Sequence, residues 1–210
     1  MGKGLRLETL QPRWPLIIVA APGPSLTEEV AETCRGIPII AIKQAALRIP
    51  WATAMYACNA WMWDLWGGFP KFEGERWSLH HRLDRKDWLV DQYRLRLVRG
   101  GGMNLGRFSD DPSVVNYGMC SGFATVGIAI HWLKRPGRIL LVGFDFRMVG
   151  TRQYWNGPHP KGRQGGQFQA YARCFEEAAK QMPQGVEIIN ATPKSALACF
   201  PMMPLEQALK

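Results

Sequence analysis

The stretch that decides the fold is Leu16-Ile17-Ile18-Val19-Ala20-Ala21-Pro22-Gly23-Pro24-Ser25-Leu26-Thr27-Glu28-Glu29. The apolar and β-branched run over 16–20 predicts a buried strand, and the Pro and Gly residues after it predict a tight turn. Ser25 and Glu28 fit the Ser-x-x-Glu pattern of a helix N-cap, so a helix is predicted over 25–34. A helix N-terminus offers unpaired N–H groups, so the segment is typical of a phosphate site or, alternatively, of a well-capped first helix.

Strands and helices alternate along the rest of the chain. Further strands are predicted over 37–42, 53–57, 138–142 and 186–189, and helices over 59–66, 121–135, 167–182, 195–198 and 205–209. This alternation predicts an α/β fold, with a Rossmann-like, mostly parallel sheet and helices on both faces. We expect one nucleotide-binding domain over 1–210. Residues 68–118 are less regular, with candidate strands near Trp77 and over 94–98, and are predicted to be an insertion or lid.

The composition indicates which partners and which cellular compartment to expect. The 210 residues carry a net charge of +9, which favours an anionic partner such as a nucleotide or nucleic acid, although a solvated basic surface has the same signature. No run approaches the roughly 20 apolar residues of a membrane span, and no leader peptide is recognised, so a cytoplasmic location is expected. Five cysteines without a Cys-x-x-Cys pair predict free, buried thiols.

Ligands of parallel sheets bind at the carboxyl ends of the strands, and this rule selects candidate polar residues. The residues that follow predicted strands, and that we expect to converge on one crevice, include Lys43, Gln44, Asn59, Asp145 and Asn190. Asp145, within Gly-Phe-Asp-Phe, suits a ribose hydroxyl, a substrate hydroxyl or a metal ion. Ser121-Gly122 begins the long helix, which indicates either a second phosphate-type site or a plain helix cap.

Aromatic residues and a histidine complete the candidate site. His159 lies in a polar loop over 147–166 that is rich in Gly, Pro and aromatic residues, and a histidine there can act as a general base. Tyr154, Trp155 and Trp63 are predicted to contact the substrate, with a place in the core as the alternative for Trp63. Neither a Ser/His/Asp nucleophile elbow nor an Asp-x-Asp motif occurs, so no metal site is expected.

Together these motifs resemble the bacterial oligosaccharide sialyltransferases. Residues 18–26 resemble the Gly-Pro-Ser-Leu motif of that family, and Ser121-Gly122 with the later strand ending Gly143-Phe144-Asp145-Phe146 resembles its Ser-Gly helix and Gly-Ile-Asp-Phe strand end. His159 lies where those enzymes carry a histidine base. The layout is nearest to small phage-encoded proteins with a Trp-x-x-Asp segment, a His-Pro loop and an ending like residues 195–201. The Gly-Pro-Ser-Leu turn is also similar to one in archaeal-type hydroxymethylpterin pyrophosphokinases.

The resemblance implies an inverting, metal-independent glycosyltransferase that uses a nucleotide-activated sugar as co-substrate and no cofactor. It implies that His159 is the base and that Asp145 orients a hydroxyl. The nucleotide would be held by Pro22, Gly23, Pro24, Ser25, Lys43, Asn59, Ser121 and Gly122. The expected acceptor is DNA carrying a modified base or another anionic molecule.

The sequence departs from the sialyltransferase pattern at two positions. Pro22 and Lys43 stand where the sialyltransferases carry asparagine, and a lysine suits a phosphate of a different donor. The alternatives to a glycosyltransferase are a nucleotide-sequestering protein without catalysis, a pterin-type pyrophosphokinase and a nucleic-acid-binding module.

Overall fold

The structure, a computed structural model, describes residues 5–83, 86–103, 106–159, 162 and 167–210. Its strands are β1 (Trp14–Ala20), β2 (Ile39–Ile42), β3 (Ala54–Tyr56), β4 (Glu75–Leu79), β5 (Leu95–Gly100), β6 (Val114–Val115), β7 (Leu133–Val142) and β8 (Val186–Asn190). Its α-helices are α1 (Glu28–Thr33), α2 (Ala45–Arg48), α3 (Ala60–Leu65), α4 (Trp88–Tyr93), α5 (Ser121–Trp132), α6 (Phe168–Ala179) and α7 (Leu205–Ala208). A short 3-10 helix covers His80–Arg82.

The strands form one eight-stranded sheet in the order β6-β5-β4-β3-β2-β1-β7-β8. Every neighbouring pair of strands is parallel. The predicted α/β class with a Rossmann-like parallel sheet is therefore confirmed. The chain builds outward from β1 to β6 and then returns to the other side of β1 with β7. Such a reversal of strand order leaves a crevice at the carboxyl ends of the two strands that flank it.

Alternating residues of β1 explain why helices cover both faces of this sheet. Ile17 and Val19 are fully buried on one face, in a core that includes residues of α5 and α6. Ile18 and Ala20 are fully buried on the other face, in a core that includes residues of α1 to α4 and α7. A parallel strand that is buried on both faces has a continuous apolar sequence, as 16–20 has.

Helix α5 is the buried centre of the fold. Apart from Gly122, all of its residues are buried, as expected for a helix that is apolar on every side. It packs against β1, β2 and β7 and also contacts β6 at the far edge, so the sheet curves around it. The helix ends at Trp132 rather than at the predicted 135, because Leu133 is extended and pairs with Trp14 at the start of β7.

Residues 68–118 differ from the expected insertion or lid, because they supply β4, β5 and β6 of the same sheet. Charged residues interrupt the apolar pattern of these strands and make them hard to recognise. Glu75 in β4 accepts hydrogen bonds from Arg13 at 2.8 Å and from Arg96 of β5 at 2.6 Å. Arg76 donates to three backbone carbonyls of the turn over 68–72. These partners satisfy the charges, so the strands are stable despite them.

The first helix also begins later than predicted. Thr27, not Ser25, is the N-cap of α1, and its Oγ1 accepts a hydrogen bond from the Val30 N–H at 3.2 Å. The capping box of Ser25 and Glu28 is therefore wrong, and the helical piece predicted over 195–198 is irregular chain. Among the described residues, no helix has the length and apolar character needed to cross a membrane.

Candidate functional site

A cleft of about 750 Å³ opens at the carboxyl ends of β1, β2, β3 and β7, where the strand order reverses. The loops after these four strands and the first turn of α5 line it. It contains predicted site residues from every part of the chain: Pro22, Gly23, Lys43, Asn59, Ser121, Gly122, Asp145, Tyr154 and His159. A second cleft, of about 530 Å³, lies near the amino ends of β1, β7 and β8 and includes none of them.

The loops after β1 and β7 approach each other closely at Gly23. The Gly23 N–H donates to the carbonyl oxygen of Gly143 at 3.1 Å. A Cβ atom on Gly23 would lie well below 3.0 Å from that oxygen and from Oδ2 of Asp145, a separation that real Cβ atoms essentially never show. Only glycine fits here, so the turn predicted from 16–29 is built around contact with β7.

Ser25 holds the carboxylate of Asp145 instead of facing the cleft. Its Oγ donates to Asp145 Oδ2 at 2.8 Å, and its backbone N–H donates to the same oxygen at 3.2 Å. Ser25 and Pro24 are not among the residues that line the cleft. The Gly-Pro-Ser turn therefore reaches the cleft through Asp145, which lies 120 positions further along the chain.

Asp145 is buried and incompletely paired. Its residue exposure is 3%, and Oδ1 has no hydrogen-bond partner among the described residues. Burial raises the pKa of this carboxyl, while the hydrogen bonds from Ser25 and the charge of Arg147 lower it in part. A buried acceptor without a partner costs free energy until a donor reaches it, so a ligand hydroxyl is a suitable partner for Oδ1.

The first turn of α5 offers N–H groups that meet only a weak acceptor. Cys120 is the N-cap, and its Sγ accepts from the Phe123 N–H at 3.4 Å. Burial raises the pKa of Cys120 to about 11, so the thiol is uncharged at neutral pH. Ser121 Oγ lies 3.3 Å from the Sγ of Cys58, at the cleft wall. Since neutral sulfur is a poor acceptor, this helix start suits an anion.

Cations line the cleft in excess over acids. Lys43, Arg82 and Arg147 all line it, and Asp145 is the one acidic residue among its described lining residues. Lys43 adopts a left-handed backbone with φ of 50°, an uncommon conformation that is often found at functional sites. Arg82 follows β4 in the short 3-10 helix, and it was not predicted as a site residue because residues 68–118 were expected to form an insertion or lid instead of part of the sheet.

An aromatic wall flanks His159. Its ring lies between those of Trp61 and Tyr154, with centroid distances of 6.0 and 5.9 Å. Burial raises the pKa of Tyr154 to about 12, so its hydroxyl stays protonated at neutral pH. The loop that carries His159 continues into 160–161 and 163–166, which lie outside the described residues.

Two of the predicted tryptophan contacts are structural. Trp63 is fully buried and packs edge-on against Phe69, so its prediction as a substrate contact is corrected to a core residue. Trp61, two positions earlier on α3, lines the cleft instead. Trp155 donates its backbone N–H to Pro22 and its indole N–H to Gln44. Trp155 therefore fastens the 154–159 loop to the strand ends instead of lining the cleft.

Two other predictions from the sequence concern the cysteines and a metal site. All five cysteines are free, as predicted, but Cys58 and Cys120 line the cleft instead of only filling the core. Within the described ranges, no group of three His, Cys, Asp or Glu side chains is placed to hold a metal ion. A metal-independent reaction stays a prediction.

Comparison with known proteins shows similarity in structure but not in sequence. No protein-family model matches the sequence, and no curated protein matches it in sequence. The chain is similar in structure to a MAf glycosyltransferase from Magnetospirillum magneticum AMB-1, with a TM-score of 0.65 and 11% sequence identity. At this identity the likeness shows a shared fold. The likeness covers 98% of this chain but 36% of the MAf chain, so the chain spans about a third of that protein.

Proposed function

We propose that the protein is a glycosyltransferase that uses a nucleotide-activated sugar and inverts the anomeric centre. One observation carries the proposal: a single cleft holds a histidine on an aromatic wall, a buried carboxylate with an unpaired oxygen, and cations beside a helix start. These groups match the needs of the reaction, which are a base, a hydroxyl acceptor and a site for the leaving phosphate.

The chemistry follows from these positions. His159 takes the proton of the acceptor hydroxyl, and the oxygen attacks the anomeric carbon from the face opposite the nucleotide. The bond from that carbon to the phosphate oxygen breaks, and the nucleotide leaves with the electron pair. Lys43, Arg82 and the first turn of α5 stabilise the charge that develops on the leaving phosphate. The protein's own cations do this work, so the proposed reaction needs no metal ion.

Asp145 has a separate role in this mechanism. Its unpaired Oδ1 accepts a hydrogen bond from a sugar or acceptor hydroxyl, while Ser25 holds Oδ2. A carboxylate that is fixed by two donors keeps one orientation, so the hydroxyl it receives is aligned before the reaction. The sialyltransferase type, a phage origin and DNA as the acceptor stay predictions from the sequence.

The test begins with ligand binding. Nucleotides and nucleotide sugars are screened by thermal shift, where a ligand at 100 times its dissociation constant should stabilise the fold by roughly 2.7 kcal/mol. The best nucleotide sugar is then incubated with the protein, and release of free nucleotide is measured with and without candidate acceptors. We expect at least one nucleotide sugar to stabilise the protein and to be turned over. No stabilisation by any of them would overturn the proposal.

A variant separates transfer from binding. His159→Ala should keep the thermal shift with the nucleotide sugar and lose turnover, because the base is absent but the phosphate site is intact. His80→Ala is the matched control, since His80 is exposed and does not line the cleft. Binding without turnover in the unaltered protein would instead identify a nucleotide-sequestering protein, and full turnover by His159→Ala would show that another group is the base.

A further inference from the structure

The charge balance of the cleft bears on which nucleotide it takes. Lys43 and Arg82 form no ion pair with any described residue, although acids and bases elsewhere in the described chain pair repeatedly. Arg82 lies over the ring of Tyr117 at 5.6 Å, which orients the guanidinium without neutralising it. Two partly buried cations without an anion carry a desolvation cost that a bound anion removes.

Both cations line the cleft together with the first turn of α5. Burial raises the pKa of the Cys120 thiol, and the charge of Lys43 lowers it in part. Arg82 lies over the ring of Tyr117, which is four positions before α5 begins. Both cations and the first turn of α5 therefore line the same cleft.

The opposite side of the cleft contains Asp145, a hydrogen-bond acceptor. Asp145 follows β7, whereas Lys43 follows β2 and Cys58 follows β3, so the cleft runs across four neighbouring strands. Adjacent strands lie about 4.8 Å apart, so the two sides are separated by roughly 10 to 14 Å. Oδ1 of Asp145, on a residue more than nine-tenths buried, awaits a hydrogen-bond donor. The cleft thus has Lys43 and Arg82 on one side and, on the other, a carboxylate oxygen that is suited to accept a hydrogen bond from a hydroxyl.

We propose that the nucleotide bound here is a nucleoside diphosphate or its sugar conjugate, with both phosphates between Lys43, Arg82 and the first turn of α5. This inference rests on the proposed function and names the donor class for the same site. One phosphodiester carries a single negative charge and leaves one of the two cations unpaired, whereas a diphosphate supplies a charge for each. A neutral asparagine in place of Lys43 would remove that second partner.

The test measures affinities by isothermal titration calorimetry for two matched pairs of nucleotide esters, the methyl ester of CMP with that of CDP and the methyl ester of UMP with that of UDP. Each pair shares its base, ribose and methyl group and differs by one singly charged phosphate. We expect the diphosphate to bind at least about tenfold more tightly, in line with one added charge-assisted contact. The preference should weaken at high salt, because the added contacts are ionic.

Variants locate the effect. Lys43→Asn should lower diphosphate affinity by about tenfold and change monophosphate affinity much less. Asparagine tolerates the left-handed backbone at this position, so the fold should be kept, which circular dichroism and thermal unfolding check. Lys71→Asn is the matched control, since it makes the same change at an exposed lysine outside the cleft. Arg82→Gln should act in the same direction as Lys43→Asn.

The outcomes separate this inference from the proposed function. Equal binding of mono- and diphosphates overturns the diphosphate assignment and leaves the nucleotide site in place. Tighter binding of CMP-sialic acid than of either diphosphate ester also overturns it, because the second negative charge is then a sugar carboxylate. Equal losses for Lys43→Asn and Lys71→Asn show a general charge effect and overturn it as well. No binding of any nucleotide contradicts both proposals.

Discussion

Replacing Gly23 by alanine tests the contact that brings β1 and β7 together at the cleft. The new Cβ would clash with the backbone oxygen of Gly143 and with the carboxylate of Asp145. Neither group can easily move away, because the Gly143 oxygen is a backbone atom and the Asp145 carboxylate is held by hydrogen bonds from Ser25. The clash is therefore relieved only by separating the two loops.

The cost follows from what that separation breaks. Overpacking alone typically costs about 1–3 kcal/mol. Moving the loops apart also loses the hydrogen bond from the Gly23 N–H to Gly143 O, worth about 1 kcal/mol, and loosens the contacts from Ser25 to Asp145. We expect a loss of about 3 kcal/mol in the free energy of unfolding. For a chain of this size, that loss lowers Tm by roughly 6–12 °C.

A second glycine in the same core is the control. A Cβ on Gly127, within α5, would meet Phe108 and Val115 at 3.7 Å, an ordinary van der Waals contact. Gly127→Ala should be neutral or stabilise by up to about 1 kcal/mol, because alanine favours the helix. Urea unfolding followed by circular dichroism measures both variants. If Gly23→Ala unfolds within about 0.5 kcal/mol of the unaltered protein, the close approach of the two loops is refuted.

Two further changes test the site itself. Burial raises the pKa of Asp145, so the ionised carboxylate opposes folding. The contribution of this group to the free energy of unfolding is favourable below its unfolded pKa of about 3.9. That contribution is lost as pH rises through the higher folded pKa. Asp145→Asn should therefore gain stability relative to the unaltered protein as pH rises from about 4 to neutrality. Urea unfolding at several pH values measures this difference in stability. A difference that does not vary with pH would contradict the expectation. Trp63→Ala should lose about 3–5 kcal/mol as a core truncation. Trp61→Ala should lose about 1 kcal/mol or less and weaken nucleotide-sugar binding in calorimetry, whereas similar losses of stability for both tryptophans would show that the cleft wall is assigned to the wrong residue.

Parts of the fold could be predicted because their signals are local. The apolar run at 16–20, the Gly-Pro turn after it and the strand that ends at Val142 depend on neighbours a few positions away, and the structure has them close to the predicted places. The candidate strands near Trp77 and over 94–98 are confirmed as β4 and β5. Their place in the main sheet was not predicted, because their charges find partners far along the chain, such as Arg13 for Glu75. A pattern of alternating polarity does not show that a charged residue will be paired.

The candidate site could also be predicted only in part. The rule that ligands bind at the carboxyl ends of parallel strands selected Lys43, Asn59 and Asp145, which line the cleft, but also Gln44 and Asn190, which are buried and do not line it. It did not select Arg82, because residues 68–118 were expected to form an insertion or lid. It also did not distinguish Trp61 from Trp63. Two positions on one helix turn face in different directions, and the packing of α3 decides which of them is buried.

The sequence alone determined that this protein is an α/β chain with a strand, a glycine turn and a helix at its start, because those features follow from short-range sterics and hydrogen bonding. Only the tertiary structure decided what the turn does. Ser25 was expected to cap a helix and contact a nucleotide, but the parallel pairing of β1 with β7 brings Asp145 next to it. The turn therefore fixes a carboxylate, whereas the first turn of α5, which the sequence indicated as a second phosphate-type site, lines the cleft at the same strand ends.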